Sequence, residues 1–349
     1  MTKKVDYIVV GLGIAGVSLC EQLWRTNKTF VVIHHNLNVA THVAGGIINP
    51  VILKWFTPVW QVTLFLEAAI PFYRTIEDLL SESFLTETNI LRIFNSAEEQ
   101  NMWMAASDKN ELSKYLEPKI FSDNHENLKT NFGFGKVNSA FQIKIAALLS
   151  AYENYLRKKE VVLKESFDFQ RLTFEEDQIH YKNYSANKIV FAEGAAAVHN
   201  PYFPKDFLNQ KKGEYITVKV PYLNLESILK GKYYVIPLGE NLYKVGATFN
   251  HHDRSLNPMF EGKEELVEVL KKMILVPFEV VNQEAGLRPT VPDRRPLIGN
   301  LPSRELVYFF NGLGTHGLLM APLLARQLFN YMEYSEELPS EINIRRFIS

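Results

Sequence analysis

A glycine motif near the start of the chain constrains its fold more than any other feature, and it is Gly11-Leu12-Gly13-Ile14-Ala15-Gly16. The apolar, β-branched run at residues 5–10 predicts a buried parallel strand before the motif, and residues 14–26 show helical spacing after it. Residues 30–33 predict a second buried strand. Strand, turn, helix and strand within about thirty residues form one βαβ unit, which is the usual container for a dinucleotide.

Each glycine of this motif has its own steric role. Gly11 permits the tight turn, Gly13 lets the backbone approach a pyrophosphate, and Gly16 lets the helix pack closely on the strand. The amide groups at the helix start, including those of Ile14 and Ala15, then face the phosphates. A turn that binds no ligand is the alternative, but the position between a strand and a helix favours dinucleotide binding.

Length, charge and cysteine content limit the class of protein. With 349 residues the chain exceeds one ordinary domain, so we expect two lobes. The 38 basic and 39 acidic side chains leave a formal charge of -1, so no overall field attracts the protein to nucleic acid or an anionic membrane. Cys20 is the only cysteine, which excludes an internal disulfide and fits a cytoplasmic location.

The N-terminus resembles an export signal only superficially. Lys3 and Lys4 precede an apolar run, but Asp6 and three regularly spaced glycines interrupt the pattern that a signal requires. No other stretch approaches the length of a membrane span. We therefore expect a protein without a membrane span.

The remaining patterns predict an α/β (α+β) fold. Helical spacing occurs at residues 62–82, 96–116, 138–159 and 318–332. Strands are predicted at residues 188–192, 215–220, 233–236, 242–249 and 306–310, with an alternating segment at 167–174 that suits a β-meander. Residues 286–289 and 292–293 are predicted to be loops. We predict a discontinuous Rossmann-type lobe for the nucleotide (1–82, 138–207 and 284–349) and a smaller antiparallel-sheet lobe for the substrate (83–137 and 208–283).

The acidic residue expected at the end of the second strand is missing. His34 stands at this position, where an acid would accept hydrogen bonds from the adenosine ribose, and His35 follows it. A neutral imidazole accepts only one such bond, so either His34 contacts the ribose directly or ribose recognition has moved elsewhere. Adjacent histidines on a strand point to opposite faces, so we predict no metal site at His34-His35 or at the later pair His251-His252.

A second glycine motif lies near the end of the chain, and it is Gly312-Leu313-Gly314-Thr315-His316-Gly317. It again lies between a predicted strand and a predicted helix, but too late in the chain to begin a second simple nucleotide unit. The start of a helix offers free amides and a positive dipole, which suit the negative charge that develops around N1 and C2=O of a reduced flavin. The alternative is a turn that serves packing alone.

Several sequence blocks occur together with these two motifs, and they are Ala44-Gly45-Gly46, Phe191-Ala192-Glu193-Gly194, Gly286-Leu287-Arg288-Pro289 and Pro296-Leu297-Ile298-Gly299. In this order the blocks resemble the FAD-dependent D-amino-acid oxidase superfamily. Its members include glycine and sarcosine oxidases, dimethylglycine dehydrogenase and the oxidase domain of a bifunctional tRNA wobble-uridine modifying enzyme. The resemblance covers nearly the whole chain.

The resemblance implies a two-lobed flavoprotein that binds FAD. A hydride would pass from the carbon that bears an amine to flavin N5, and water would hydrolyse the resulting imine. The substrate would be a small amine or amino acid, with an electron acceptor that the sequence leaves open. Besides the first motif and the histidines at 34 and 35, the residues implied to contact FAD are Ala44, Gly45, Gly46, Ala192, Glu193, Gly194, Leu313, Gly314, Thr315, His316 and Gly317.

The resemblance also implies roles for four side chains. Arg288 matches the position that holds the substrate carboxylate in amino-acid oxidases of the family; an ion pair with Asp293 or Glu284 is the alternative. Tyr234 matches a substrate-facing tyrosine of the glycine oxidases. His316 would lie beside the flavin, with a charge that the sequence leaves open. His42 stands where dimethylglycine dehydrogenases attach flavin covalently, although a polar contact or a surface loop is the more ordinary role.

Three functions therefore compete. The first is oxidation of the C–N bond of a small amine or amino acid by an FAD enzyme. The second is oxidation of a modified tRNA base, which the near-zero net charge and the lack of a basic stripe disfavour. The third is a non-catalytic FAD-binding protein.

Overall fold

The computed structural model describes residues 2–35, 40–122, 126–175 and 177–348. The helices in these ranges are α1 (Ile14–Arg25), α2 (Ala40–Val43), α3 (Val62–Leu80), α4 (Ala97–Ser107), α5 (Ile145–Lys158), α6 (Phe260–Lys271) and α7 (Gly317–Tyr334). The strands are β1 (Lys3–Val10), β2 (Phe30–Ile33), β3 (Ile47–Ile48), β4 (Val51–Ile52), β5 (Thr57–Pro58), β6 (Leu85–Ile93), β7 (Phe134–Ile143), β8 (Val162–Leu163), β9 (Leu172–Glu175), β10 (Gln178–Tyr181), β11 (Tyr184–Phe191), β12 (Asn209–Lys219), β13 (Ile228–Lys230), β14 (Tyr234–Gly239), β15 (Leu242–Gly246), β16 (Glu279–Thr290), β17 (Leu297–Asn300) and β18 (Val307–Asn311).

The first sheet is largely parallel and has the order β17-β18-β11-β1-β2-β8. Strands β18, β11, β1, β2 and β8 are parallel, whereas β17 and the β9–β10 hairpin beside β11 are antiparallel. The central strand β1 is flanked on both sides, and the apolar residues at its C-terminal end are buried. This arrangement brings the C-terminal ends of β1 and β11 together, and the backbone N–H of Ala192 donates to the carbonyl of Val10 at 2.7 Å.

The second sheet is mostly antiparallel and has the order β16-β12-β15-β14-β13-β6-β7-β3. One of its faces packs on α6 around Leu266 and Leu270, in a core that includes Val235 and Val245. Its other face is turned towards the first sheet, where Ile236 joins the large core that also contains α1, α3 and α7. Residues alternate between the two faces along a strand, so Tyr234 and Ile236 point towards the first sheet while Val235 points away.

The predicted fold class is confirmed, and most predicted elements have bounds close to those of the structure. Two predicted helices are too long. The helix predicted at 96–116 ends at Ser107, and Ser96 caps its start by accepting from the N–H of Glu99 at 3.2 Å. The helix predicted at 138–159 begins only at Ile145, because residues 134–143 pair with β6 as strand β7. Tertiary pairing overrides the helical pattern there.

The loop predicted at residues 286–289 is also wrong, because these residues lie in β16 and pair with β12. The segment contains Pro289, and a proline cannot donate to a sheet ladder. Strand β16 is an edge strand of the second sheet, where a proline is tolerated. Arg288 is therefore held by a strand.

The predicted division of the chain into two lobes stays a prediction. Strand β3, which lies within the first predicted segment, pairs with β7 in the second sheet. Among the described residues no helix is long and apolar enough to cross a membrane. In the same ranges no group of three or more histidine, cysteine or acidic side chains is placed to hold a metal ion.

Candidate functional site

A cavity of about 1290 Å³ lies between the two sheets. Its walls come from the start of α1, residues 40–54, the C-terminal end of β11, the inner face of the second sheet and the turn before α7. The predicted site residues that line it are Gly11, Gly13, Ile14, Ala15, Ala44, Gly45, Gly46, Ala192, Glu193, Gly194, Tyr234, Arg288, Leu313, Gly314, Thr315, His316 and Gly317. This cavity exceeds the roughly 300–1,000 Å³ of an ordinary small-molecule pocket.

Two glycines of the first motif are required by close approach of the backbone. Gly11 has φ of +102°, and a Cβ on it would lie 2.4 Å from the carbonyl oxygen of Ala192. A Cβ on Gly16 would lie 2.0 Å from the carbonyl oxygen of Gly11. Gly16 is not among the cavity-lining residues, so its role is the packing role that the motif predicts.

Gly13 differs from its two neighbours in the motif. A Cβ on Gly13 would meet only Thr41 Oγ1, at 3.4 Å, which is ordinary contact. The protein itself therefore does not require glycine at this position. The space in front of Gly13 opens into the cavity beside the amides at the start of α1, of which the Ile14 N–H donates to Thr41 Oγ1 at 3.4 Å.

The Ala44-Gly45-Gly46 segment packs closely against the second sheet. A Cβ on Gly45 would lie 2.5 Å from Ile236 Cδ1, and one on Gly46 would lie 2.0 Å from the carbonyl oxygen of Ile143. The N–H of Ile143 donates to the carbonyl of Gly46 at 2.7 Å. Gly45 and Gly46 therefore form a thin wall of the cavity, where they have no side chain in the way of a flat ligand.

Glu193 follows β11 and lines the cavity. Burial raises the pKa of its carboxyl to about 7, although the Asn200 side chain donates to it at 2.7 Å. A carboxyl that is partly protonated near neutral pH repels a bound anion less than an ionised one. Gly194 then turns the chain with φ of +58°, and its carbonyl accepts from Asn311 Nδ2 at 2.8 Å.

The second glycine motif lies directly beside the first. A Cβ on Gly317 would lie 3.3 Å from Ile14 Cγ2, so the starts of α1 and α7 adjoin each other. The N–H of Gly314 donates to the carbonyl of Pro289 at 2.9 Å, which ties the turn to the strand that carries Arg288. The two motifs, which are about three hundred residues apart in sequence, thus enclose the same cavity.

His316 is neutral at physiological pH. Burial lowers the pKa of its imidazole from the usual 6.5 to about 4, and Nδ1 lies 3.1 Å from the Thr315 hydroxyl. In this state the ring has one donor and one acceptor nitrogen. A permanently protonated imidazole, one of the two charge states that the sequence left open, does not fit this environment.

The low pKa of His316 makes the stability of the protein depend on pH. As the pH falls, His316 binds a proton in the unfolded chain before it does so in the folded protein. The stability that neutral His316 contributes is therefore fully present above pH 6.5 and is lost between pH 6.5 and 4. We expect the urea midpoint to fall over this range more steeply than in His316→Asn. The exposed His251 supplies a matched control, since His251→Asn should keep the wild-type slope; equal slopes for all three proteins would contradict the assignment.

Arg288 is half-buried and points into the cavity without an acidic partner among the described residues. Its guanidinium donates to the carbonyl of Thr248 at 3.3 Å and lies 4.6 Å from the centre of the Phe249 ring. The Tyr215 hydroxyl is a close neighbour, and burial lowers the pKa of the guanidinium. Both acids considered as ion-pair partners are engaged elsewhere, because Asp293 pairs with Arg346 and Glu284 pairs with Lys244.

The guanidinium has room because residue 213 is glycine. A Cβ on Gly213 would lie 2.1 Å from Arg288 Nη2 and 2.3 Å from its Cζ. The side chain of Arg288 is therefore packed flat across the backbone of β12. The sequence did not reveal this role of Gly213, because the two strands are distant in sequence and their pairing was not predicted.

Tyr234 also lines the cavity and accepts a hydrogen bond from Asn49 Nδ2 at 3.1 Å. Burial raises the pKa of the phenol to about 12, so the hydroxyl stays protonated and is available as a donor. Asn49 is fixed in turn because its Oδ1 accepts from the N–H of Val51 at 2.9 Å. Asn49 and Tyr215 are two site residues that the sequence analysis missed, and neither lies in a recognisable motif.

A second cavity of about 270 Å³ adjoins the first and contains the three histidines predicted near the cofactor: His34, His35 and His42. Gly11, Leu12, Glu193 and Ala196 line both cavities. A dinucleotide that spans the junction would therefore have its pyrophosphate at the start of α1 and one end in each cavity. The glycine cradle and the pair of cavities fit an FAD-sized ligand.

Comparison with known proteins agrees with this geometry. Residues 6–330 match a family model described as FAD dependent oxidoreductase. The glycine oxidase of Bacillus licheniformis is 25% identical over 351 residues, which cover 92% of this chain and 91% of that protein. The crystal structure of glycine oxidase from Geobacillus kaustophilus superposes with a TM-score of 0.79 at 18% identity, over 96% of each chain, and this shows the same fold.

A second kind of relative is a longer protein, of which this chain matches less than half. The tRNA 5-methylaminomethyl-2-thiouridine biosynthesis bifunctional protein MnmC of Idiomarina loihiensis is 32% identical over 106 residues, covering 29% of this chain and 17% of that protein. The family resemblance predicted from the sequence blocks is thereby confirmed. Because the family model matches nearly the whole chain, this protein belongs to the FAD-dependent oxidoreductase family and has FAD as its cofactor.

Proposed function

We propose that the protein oxidises the C–N bond of a small amine that carries a carboxylate. The observation that supports this most directly is Arg288, a half-buried cation that faces the main cavity without an acidic partner among the described residues. A buried charge is costly unless it is paired, so a ligand anion is the natural partner of this guanidinium. A guanidinium also matches the planar geometry of a carboxylate better than an ammonium does.

We place the cofactor across the two cavities. The start of α1, with Gly11, Gly13, Ile14 and Ala15, would hold the pyrophosphate. The adenosine would lie in the smaller cavity, and the isoalloxazine ring would lie in the main cavity beside residues 313–317. When bound, FAD supplies the two-electron acceptor for hydride transfer.

The side chains around the substrate would position it and keep water away. Arg288 would hold the carboxylate at one end, and the protonated phenol of Tyr234 would donate to the substrate from the floor of the cavity. The apolar side chains Val51 and Leu53 line the same space and would exclude water. His316 would stay neutral and could accept or donate one hydrogen bond. The predicted contact roles of His35 and His42 remain proposals, and both lie in the adenosine cavity.

The test is anaerobic reduction of the FAD-loaded protein by candidate substrates. Glycine, sarcosine and other N-alkyl amino acids are mixed with the holoprotein, and bleaching of the flavin absorbance is followed. We expect at least one amino acid to reduce the flavin, while its decarboxylated amine does so much more slowly. A protein whose flavin no amine reduces would be the non-catalytic FAD-binding alternative.

Oxidation of a modified tRNA base is the second candidate, and the match to MnmC over 106 residues supports it. Filter binding of unmodified and modified tRNA at low salt would decide this point, because phosphate contacts dominate such binding. Tight, salt-dependent binding together with flavin reduction by the modified tRNA would favour this function over a free amino acid. The absence of binding at low salt would remove it.

A further inference from the structure

The floor of the main cavity is an ordered row of residues on neighbouring strands. Tyr215, Gly246 and Tyr234 lie directly opposite one another on β12, β15 and β14, and Lys230 on β13 continues the row. All four residues line the cavity. A Cβ on Gly246 would lie 2.4 Å from Tyr215 Cδ1, so the tyrosine ring extends over the glycine. We call Tyr215, Gly246 and Tyr234 the tyrosine floor.

A cation lies at each end of the tyrosine floor. Arg288 is beside Tyr215 at one end, and Lys230 Nζ lies 4.8 Å from the centre of the Tyr234 ring at the other. The backbones of Lys230 and Tyr215 are three strand spacings apart, which is about 14 Å. The two cations therefore bracket the space in which a small substrate would lie.

Lys230 lacks an acidic partner among the described residues. It donates to the carbonyl oxygens of Gly231 at 3.1 Å and Lys232 at 2.6 Å. The neighbouring acids are already engaged, since Glu265 accepts from Lys232 and Glu99 pairs with Arg92. Burial and the charge of Arg92 lower the pKa of the Lys230 ammonium to about 8, so it is mostly charged at neutral pH.

The side chains that line the main cavity carry a net positive charge, like Arg288 and Lys230 themselves. The lining includes four cationic side chains besides Lys232, which pairs with Glu265, and these are Lys54, Lys230, Arg254 and Arg288, against the single carboxyl of Glu193. Bound FAD brings two phosphate charges, but we place these at the start of α1, away from the tyrosine floor. A positive excess therefore remains where the substrate would lie.

We propose that the substrate carries two anionic groups, one held by Arg288 and the other by Lys230, with the amine between them over the tyrosine floor. The substrate class is thus an amine with two carboxylates, such as an N-(carboxyalkyl) amino acid, and this inference rests on the proposed amine oxidation. A second anion gives Lys230 the counter-charge that the fold itself does not supply. A monocarboxylate would leave this ammonium without a counter-charge.

Ligand binding to the holoprotein tests this without any turnover. The flavin difference spectrum is titrated with linear monocarboxylates and with the α,ω-dicarboxylates from malonate to pimelate. We expect one dicarboxylate length to bind at least about 10-fold more tightly than the monocarboxylate with the same number of carbons, since a hydrogen bond to a charged group contributes that much. Lys230→Met should abolish this difference, whereas Arg288→Met should weaken both classes.

Lys232→Met is the matched control. It removes one lysine charge two residues away from Lys230, but Glu265 already pairs with Lys232. It should keep the preference for the dicarboxylate. Flavin content and Tm of each variant show whether it is folded. Equal binding of the two classes, or a preference that survives in Lys230→Met, overturns the proposal. If the preference is present but no amine reduces the flavin, only the proposed amine oxidation fails.

A different observation carries a second inference, about the adenosine end. Glu153 on α5 projects into the smaller cavity, with its side chain only 12% exposed. Its Oε1 lies 3.5 Å from His34 Nε2 and 3.2 Å from Lys164 Nζ. Both distances are charge contacts without hydrogen-bond geometry. Glu153 Oε1 and His34 Nε2 are thus buried atoms that make no hydrogen bond within the described residues.

We infer that Glu153 supplies the carboxylate that the end of β2 lacks, and that it binds the ribose hydroxyls of the adenosine together with His34. The pair lies in the cavity that Gly11 and Leu12 also line, next to the proposed pyrophosphate position. Hydroxyl groups would satisfy both orphaned atoms, since they donate to the carboxylate and either donate to or accept from the imidazole. The carboxylate that recognises the ribose would thus come from α5 and not from the end of β2.

Nucleotide competition tests this assignment independently of activity. ADP and 2′,3′-dideoxy-ADP compete with FAD for the apoprotein, and flavin fluorescence reports the displacement. We expect the wild-type protein to bind ADP about 10-fold or more tightly than the dideoxy compound, and Glu153→Ala to bind the two equally. The exposed Glu160 gives the control, since Glu160→Ala should keep the difference. A wild-type protein that ignores the hydroxyls, or a Glu153→Ala protein that still distinguishes them, overturns the inference.

Discussion

Arg288→Met is expected to lower kcat/KM for a carboxylate-bearing amine by about 10²–10³-fold, mostly through a higher KM. A bidentate pair with a carboxylate contributes about 3–4 kcal/mol, and each 1.4 kcal/mol corresponds to a factor of ten. Methionine keeps most of the apolar contact with Phe249 and removes only the charge. Steady-state kinetics with the amino acid and with its decarboxylated amine measure the effect, and the decarboxylated amine should lose little.

Gly213→Ala provides an independent route to the same defect. The new Cβ would lie 2.1 Å from Arg288 Nη2, so the guanidinium must move while its charge remains. We expect a rise in KM in the same direction as for Arg288→Met, and an additional substitution of Arg288 should add little to it. Full activity in Arg288→Met, with normal flavin content, would show that another group holds the substrate.

Gly13→Ala is expected to weaken FAD binding by about 10–100-fold while leaving the fold of the apoprotein intact. The added methyl group meets nothing closer than Thr41 Oγ1, at 3.4 Å, so the protein tolerates it. It would nevertheless occupy the space through which the pyrophosphate approaches the backbone, at a cost of about 1.4–2.8 kcal/mol. Flavin fluorescence titration of the apoprotein gives the affinity, and thermal unfolding of the apoprotein gives the stability.

Gly16→Ala should instead lower the stability of the apoprotein. Its Cβ would lie 2.0 Å from the carbonyl oxygen of Gly11, and backbone atoms cannot yield as a flexible side chain can. We expect the Tm of the apoprotein to fall by about 4–10 °C, because overpacking of this kind costs a few kcal/mol. If Gly13→Ala lowered the Tm as much as Gly16→Ala, the open space before Gly13 would not be a ligand site.

Local patterns in the sequence predicted the parts of the fold that depend on local chemistry. The βαβ unit around Gly11 was predictable because strand, glycine turn and helix follow one another within a short span. The helix after the second motif was predictable for the same reason, and α7 begins at Gly317, the last glycine of that motif. Where neighbouring residues decide the structure, the sequence alone was sufficient.

The remaining features depend on pairing between distant strands. Arg288 was predicted to lie in a loop, and only the edge position of β16 explains why a strand tolerates the proline that follows it. The tyrosine floor cannot be seen in the sequence, because Tyr215, Gly246 and Tyr234 meet through the register of three strands. Glu153 could not be predicted as a site residue, because only the packing of α5 brings its carboxylate to His34.

The adjacency of the two glycine motifs has a consequence for the order in which the protein matures on the ribosome. Strand β18 and the start of α7 are synthesised after more than three hundred residues of the chain, yet they form one wall of the main cavity. A nascent chain that has completed only the βαβ unit presents a single open helix start, with no surface to enclose a flavin ring. We therefore expect stable capture of FAD only after translation of the second motif.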